Sequence, residues 1–297
     1  MSERPLEQLL ERKHPVILDG AMGTALRDRG VDIGLPLWSA RALMTSPATV
    51  LQIHREYCAA GADIITANTF RTTVRTFKRA RVPDRSLELT GQAVRLARQA
   101  RAGDPGRTIL VAGSIAPLED CYRPDCVPDD RSLRVEHAEQ AYRLAAAGVD
   151  FLLLETMGTI REAFAASEAA RKTGLEVVVS LLCRPDGLLY GGESLDDAVT
   201  VLEPLDIAAL SLNCAPARSL SPLIARLRTL TDLPLGAYGN TGRAGREEEG
   251  DFVCDVEPEE YARLAHEWVT AGASIVGGCC GTGTEHIRKV SSLFGTM

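Results

Sequence analysis

A closed (β/α)8 barrel of the TIM type, in one domain over residues 1–297, is predicted by three features of the sequence. Eight short aliphatic or β-branched runs alternate with longer amphipathic segments. The runs are almost continuously apolar, as expected of parallel strands buried on both faces. Several of the amphipathic segments stop at Ala-Gly just before the next run, where glycine supplies the left-handed residue that ends a helix. The length of 297 residues suits such a barrel, which typically needs ~250 residues. An open doubly wound sheet is the alternative, but no Gly-x-Gly-x-x-Gly turn follows the first run, which weakens a dinucleotide-binding reading.

In chain order the predicted strands are Val16–Asp19, Asp63–Ala67, Thr108–Ala112, Asp150–Glu155, Glu176–Leu181, Ile207–Leu212, Leu233–Tyr238 and Ser274–Gly277. Between them, Leu87–Arg101, Val135–Ala147, Ile160–Lys172 and Pro258–Ala271 carry apolar residues at helical spacing. The helix stops are Ala60-Gly61, Ala147-Gly148 and Ala271-Gly272. Three long loops, 118–131, 184–194 and 239–257, each follow a strand. In a barrel that puts them on the catalytic face, where they either gate access or are surface insertions.

Composition narrows the class. Charged residues make up 25% and the formal net charge is −7, so clustered positive charge for a nucleic-acid backbone is not in evidence. The N-terminal stretch lacks the apolar core of a signal peptide, and no run approaches the ~20 apolar residues of a membrane helix. A cytoplasmic protein without membrane or nucleic-acid partners is expected, with its eight cysteines reduced. Cys58 and Cys183 read as small core residues, and Cys121, Cys126 and Cys254 as incidental loop thiols, with redox activity as the alternative. No feature fixes the oligomeric state, and a homo-oligomer stays open.

The chemistry-bearing residues gather at strand C-termini. Asp19 ends the first strand, Asn68 the second, Glu155 the fourth, Asn213-Cys214 the sixth and Cys279-Cys280 the eighth. Singly each has a bland reading, such as Asp19-Gly20 as a turn former. Jointly they mark one end of one barrel, the end that carries active sites.

The cysteine pair in Gly277-Gly278-Cys279-Cys280-Gly281-Thr282-Gly283 is the most specific signal. Adjacent side chains on a regular strand point to opposite faces, and glycines on both sides let the backbone bend until both sulfurs converge. Cys214 offers a third sulfur. Three cysteines leave one tetrahedral position of a zinc ion free, the arrangement of a catalytic rather than structural site. Soft thiolates suit zinc better than magnesium or calcium. Packing residues or a vicinal disulfide are the competing readings; glycine neighbours have no bulk to pack, and a disulfide needs an oxidising compartment. None of the five histidines is placed as a ligand, and His286 reads as a surface or capping residue.

With these residues in place, the sequence resembles the homocysteine S-methyltransferase family, the thiol-methylating barrel shared with betaine–homocysteine methyltransferase and cobalamin-dependent methionine synthase. The likeness runs from Leu18-Asp19-Gly20-Ala21-Met22-Gly23-Thr24 to Gly277-Gly278-Cys279-Cys280-Gly281-Thr282, through Gly61–Phe70, Leu153–Met157 and Asn213-Cys214. The resemblance implies Zn2+ on Cys214, Cys279 and Cys280, with homocysteine sulfur at the open position. It implies that Glu155 and the backbone around Asp19 meet the substrate ammonium. It also implies that amides near Gly20 and Ala21 hold the carboxylate, with Asn68, Thr69 and Asn213 close by. Tyr238-Gly239-Asn240 departs from the proline often found before this asparagine, and the acidic loop Arg246–Asp251 is unlike many relatives. Both departures concern the donor end of the pocket. Little chain follows the eighth strand, so no cobalamin or folate module is expected. A small sulfonium donor, S-methylmethionine or S-adenosylmethionine, is the first expectation, ahead of betaine or a methyl-cobalamin protein, and another thiol or a selenol stays open as acceptor. A metal-dependent hydrolase and a zinc-binding module without turnover are the rival classes.

Overall fold

The computed structural model describes residues 4–242 and 255–295. Eight parallel strands form one sheet: β1 (Val16–Ile17), β2 (Ile64–Ala67), β3 (Leu110–Ile115), β4 (Phe151–Met157), β5 (Val177–Leu181), β6 (Ala209–Pro216), β7 (Leu235–Asn240) and β8 (Ala273–Gly278). Each pairs with its sequence neighbour from β2 to β8, and β8 pairs with β1. A single parallel bridge from Leu18 to Ile64 closes the ring between β1 and β2. The predicted barrel is the observed one. The acidic stretch Arg246–Asp251 and Cys254 lie outside the described residues.

Helices surround the ring. α1 (Pro5–Leu10) precedes β1; α2 (Met22–Arg27), α3 (Ala42–Thr45) and α4 (Pro47–Ala59) lie between β1 and β2; α5 (Val74–Arg79) and α6 (Ser86–Arg101) lie between β2 and β3. Then α7 (Asp130–Ala147), α8 (Ile160–Arg171), α9 (Leu195–Leu202), α10 (Leu220–Arg228), α11 (Pro258–Thr270) and α12 (Thr284–Phe294) each follow one strand. The three Ala-Gly stops behave as predicted, with Gly61, Gly148 and Gly272 at φ 99°, 85° and 117°. No helix among the described residues is long and apolar enough to cross a membrane.

Two cores follow from the two-residue period of the strands. Leu152 and Leu154 of β4 face outward into the large core under the helices. Phe151 and Leu153 face inward with Leu18, Ile64, Leu110, Ala112, Val178 and Ile275, filling the barrel. Leu6 and Leu9 of α1 join that inner cluster, and Glu176 accepts the Leu6 and Glu7 N–H groups at 2.8 Å each. α1 therefore plugs the N-terminal mouth, leaving the C-terminal mouth for chemistry.

The seam between β1 and β2 has few ladder bonds, and two aspartates stitch it. Near the bottom, the Asp63 carboxylate accepts from Ile17 N–H at 3.0 Å and from Arg12 at 3.0 Å. Near the top, Asp19 accepts from Thr66 N–H at 2.7 Å and Thr66 Oγ1 at 2.9 Å. Asp19 thus shapes the barrel as well as its mouth.

Candidate metal centre and substrate cavity

The inward register of each strand carries on into its top residue. Two positions above Leu153 comes Glu155, two above Ala112 comes Ser114, and two above Ile64 comes Thr66. These three line a cavity of about 530 Å³ over the filled barrel, together with Asp19, Gly20, Ala21, Asn68, Cys214, Cys279 and Cys280.

The three sulfurs converge there. The Sγ atoms of Cys214, Cys279 and Cys280 all lie within 4.8 Å of one another, with Cys214 to Cys280 at 3.9 Å. They form the one such group with metal-ligand spacing among the described residues. Cys279 and Cys280 occupy the turn after β8, off the strand, which is how neighbouring side chains come to share a target. Gly277 and Gly278 serve that turn by close approach rather than by unusual torsion. A Cβ on Gly277 would sit 2.6 Å from the Leu18 Cβ, and one on Gly278 2.2 Å from Thr282 Oγ1. The left-handed residue is Gly281, at φ 82°.

Cys214 reaches the cluster through a distortion of β6. Register shifts interrupt β4 between Leu154 and Met157 and β6 between Asn213 and Pro216. Within them Thr156 (φ 64°) and Cys214 (φ 56°) adopt left-handed conformations. Such conformations cost about 1–3 kcal/mol each and persist where the surroundings enforce them. Asn213 is one enforcer: its Oδ1 accepts from Thr156 N–H at 2.9 Å and Ser180 Oγ at 2.8 Å, and its Nδ2 donates to Thr156 Oγ1 at 3.0 Å. Asn240 is the other. Its Nδ2 donates to the Cys214 carbonyl at 2.8 Å while its Oδ1 accepts from Cys280 N–H at 3.0 Å, tying β6 to the cysteine turn.

Without a cation the trio shares its protons unequally. Hydrogen bonds from Cys279 and Cys280 hold the Cys214 thiol well below its ordinary value against the opposing effect of burial. The same contacts and burial push Cys279 and Cys280 well up. Three converging sulfurs, one of which gives up its proton more readily than the others, are a donor set that a soft divalent cation fits by displacing the protons.

The cavity also holds two buried carboxyls. Burial lifts Asp19 to about 7, against the hydrogen bonds from Thr66. Burial likewise lifts Glu155 to about 7; the Ser114 hydroxyl that donates to it opposes the shift, and the charges of Asp19 and Cys214 add to it. Two acidic groups kept from ionising in one pocket suit a ligand that brings a positive charge.

The sequence-predicted residues divide by position. Asp19, Gly20, Ala21, Asn68 and Glu155 line the cavity with the three cysteines. Thr69 and Asn213 are buried behind it, Thr69 donating to the Ser114 carbonyl at 2.8 Å. The Ala21 N–H is within 3.2 Å of Thr282 Oγ1, which partly occupies it. Asn68 is held at 2.6 Å by Ser39 Oγ and donates to the Ser39 carbonyl at 2.9 Å, anchoring the segment that carries Trp38.

Cys58 and Cys183 are buried core residues as expected, Cys126 is exposed, and Gly283 N–H donates to His286 Nδ1 at 3.2 Å in a helix cap. Cys121 departs from expectation. It is buried and packs beside Cys214 and Leu182 on the cavity wall, because the loop 118–131 folds back over the mouth. Tyr122, Trp38 and Asn240 are site residues that sequence reasoning did not assign. Tyr122 sits in a loop and Trp38 opens a short 3-10 helix, neither within a periodic pattern, and Asn240 stands out in the sequence for its neighbours rather than its role.

Fold and site together place three cysteines with metal-ligand spacing at the mouth of an α/β barrel, beside a cavity that holds two buried carboxyls. The family model described as homocysteine S-methyltransferase matches residues 16–294, and the chain belongs to that family. It is 33% identical to the homocysteine S-methyltransferase of Escherichia coli (strain K12) over 308 residues, covering 97% of this chain and 98% of that one. It is 30% identical to a selenocysteine methyltransferase of Astragalus bisulcatus, covering 92% and 90%. Among solved structures, the metallated form of the E. coli homocysteine methyltransferase MmuM superposes with a TM-score of 0.86 at 30% identity, covering 98% of this chain and 100% of that one.

Proposed function

We propose that this protein methylates the sulfur of homocysteine, giving methionine, with zinc held by Cys214, Cys279 and Cys280 and a small sulfonium compound as donor. The observation that carries this reading is the convergence of three sulfurs within 4.8 Å at a cavity containing two buried carboxyls. Family membership and the metallated state of MmuM agree with it. Zinc held by Cys214, Cys279 and Cys280 would supply a site for the substrate sulfur and keep that sulfur deprotonated near neutral pH.

The rest falls to the protein. Glu155 and Asp19 receive the substrate ammonium, which offsets the unfavourable burial of their own charge. The backbone N–H of Gly20 faces the substrate carboxylate, and that of Ala21 joins it by giving up its contact with Thr282 Oγ1. Asn213 and Thr69 act from behind, Asn213 fixing the conformation of Cys214, while Asn68 on the cavity wall fixes the Trp38 segment over the mouth.

The substrate sulfur donates a lone pair to the methyl carbon; the donor C–S bond breaks, and its electron pair stays on the donor sulfur, which leaves as a neutral thioether. Opposite charges on nucleophile and donor cancel as the methyl transfers. The apolar and aromatic wall, including Trp38, Phe70 and Ile33, excludes water from that event. Its rings also suit a cationic donor. Holding both reactants in one cavity supplies much of the remaining acceleration. The selenocysteine methyltransferase relative favours one second reading, a selenol as acceptor at the same site.

The test is methionine formation from homocysteine by the zinc-loaded protein with S-methylmethionine, S-adenosylmethionine and betaine in parallel. Methionine is expected with a sulfonium donor. A zinc-loaded, folded protein that yields none from any donor would point to a metal-binding module without turnover.

A further inference from the structure

We propose that Tyr122 is a positioning residue of the metal centre: its phenol donates a hydrogen bond to the Cys214 sulfur and so keeps that ligand from competing with the substrate sulfur for the methyl group. This rests on the reading of the three cysteines as metal ligands. The contact itself is direct, with Tyr122 Oη and Cys214 Sγ 3.2 Å apart. A cysteine sulfur engaged by a metal has no proton, so the phenol must be the donor.

The ring is firmly placed. Tyr122 N–H donates to Asp120 Oδ1 at 2.9 Å, and the ring packs edge-on against Tyr190 with centroids 5.3 Å apart at 70°. Cys121, one residue before, lies so close to the end of β4 that a Cβ on Gly158 would be 2.7 Å from its carbonyl. Upstream, Glu119 is clamped by Arg75 and Arg79 of α5 at 2.7 Å each, and Leu118 N–H is held by Glu162 at 2.8 Å. The loop that brings Tyr122 to the sulfur is thus anchored at both its base and its tip.

The chemical need is selectivity. During turnover a methyl electrophile enters a cavity that Cys214 lines, so substrate sulfur and ligand sulfur are both within its reach. A hydrogen bond draws electron density from the sulfur that accepts it. For a charged acceptor the effect on reactivity is about tenfold. Spent on Cys214, it leaves the substrate as the better nucleophile and guards the ligand against S-methylation.

Cobalt(II) in place of zinc gives a probe other than activity. Tyr122→Phe, which keeps the ring and removes only the hydroxyl, should move the sulfur-to-cobalt charge-transfer band to longer wavelength. Replacing Tyr122 with 3-fluorotyrosine, a stronger donor of nearly the same shape, should move it to shorter wavelength. Tyr190→Phe, at a ring neighbour whose hydroxyl makes no hydrogen bond to the sulfur, should leave it in place and serves as the packing control. In the cobalt-loaded protein treated with methyl iodide, peptide mass mapping should show Cys214 methylated about tenfold faster in Tyr122→Phe than in wild type. Bands and methylation rates indistinguishable from wild type in both replacements would overturn the proposal. If Tyr122→Phe does not fold, the fluorotyrosine protein decides alone. A wild-type protein that takes up no cobalt would overturn the metal reading itself, and this inference with it.

Discussion

Replacing Glu155 with glutamine should stabilise the ligand-free protein at alkaline pH while weakening homocysteine binding. The folded-state carboxyl lies at about 7, above its ordinary value of 4.5, because burial and the neighbouring Asp19 and Cys214 charges oppose ionisation. Between those two values the folded state holds a proton that the unfolded chain has released. Stability contributed by this group is therefore intact below 4.5 and declines until the pH passes 7. The difference of 2.5 units corresponds to about 3 kcal/mol at most. Water entering the cavity screens part of this, leaving about 1–2 kcal/mol. Glutamine removes the charge and keeps an acceptor for the Ser114 hydroxyl. At pH 8 the variant should therefore melt roughly 2–4 °C above wild type, and at pH 4 the two should coincide. Differential scanning calorimetry across that range measures the difference, and titration calorimetry with homocysteine measures the accompanying loss of affinity. A variant less stable than wild type at pH 8, or an offset independent of pH, would refute the idea that Glu155 is ionised at a cost awaiting a cation.

Asn240→Ala strands a buried carbonyl and a buried N–H at the two ligand segments, so zinc affinity in chelator competition should fall about 10–100-fold. Gly278→Ala drives a methyl group into Thr282, whose hydroxyl donates to the Cys279 carbonyl at 2.7 Å; metal content by elemental analysis should drop sharply while the far-ultraviolet circular dichroism stays barrel-like. His54 is fully buried on α4 with neither ring nitrogen partnered, and burial lowers it to about 4 from 6.5. It contributes full stability above 6.5 and loses it as pH falls toward 4. Urea unfolding should show about 2 kcal/mol less stability at pH 5 than at pH 7.5 from this group, a decline that His54→Leu should reduce.

The barrel was legible because its strands are buried on both faces and read as aliphatic runs, and because Gly61, Gly148 and Gly272 mark helix ends locally. Strand ends were less legible. β3 runs to Ile115, whereas the apolar run in the sequence stops at Ala112. Gly113 looks like a terminator but is small for packing, since a Cβ there would lie 3.1 Å from Val149 and 3.3 Å from Leu144. The distortions at Thr156 and Cys214 carry no glycine and leave no trace in the pattern. The cysteine turn announced itself through adjacent glycines, whereas Tyr122 meets Cys214 across 92 residues of chain and Asn240 meets it across 26. Contacts of that kind are set by where the loops close over the mouth, which no local spacing encodes.

X-ray absorption at the zinc edge interrogates the three-sulfur centre most directly. The zinc-loaded protein should show three sulfur neighbours and one lighter atom, and saturating homocysteine should replace the lighter atom with a fourth sulfur. A coordination shell with fewer than three sulfurs, or one that homocysteine leaves unchanged, would contradict a metal centre that binds its substrate through sulfur.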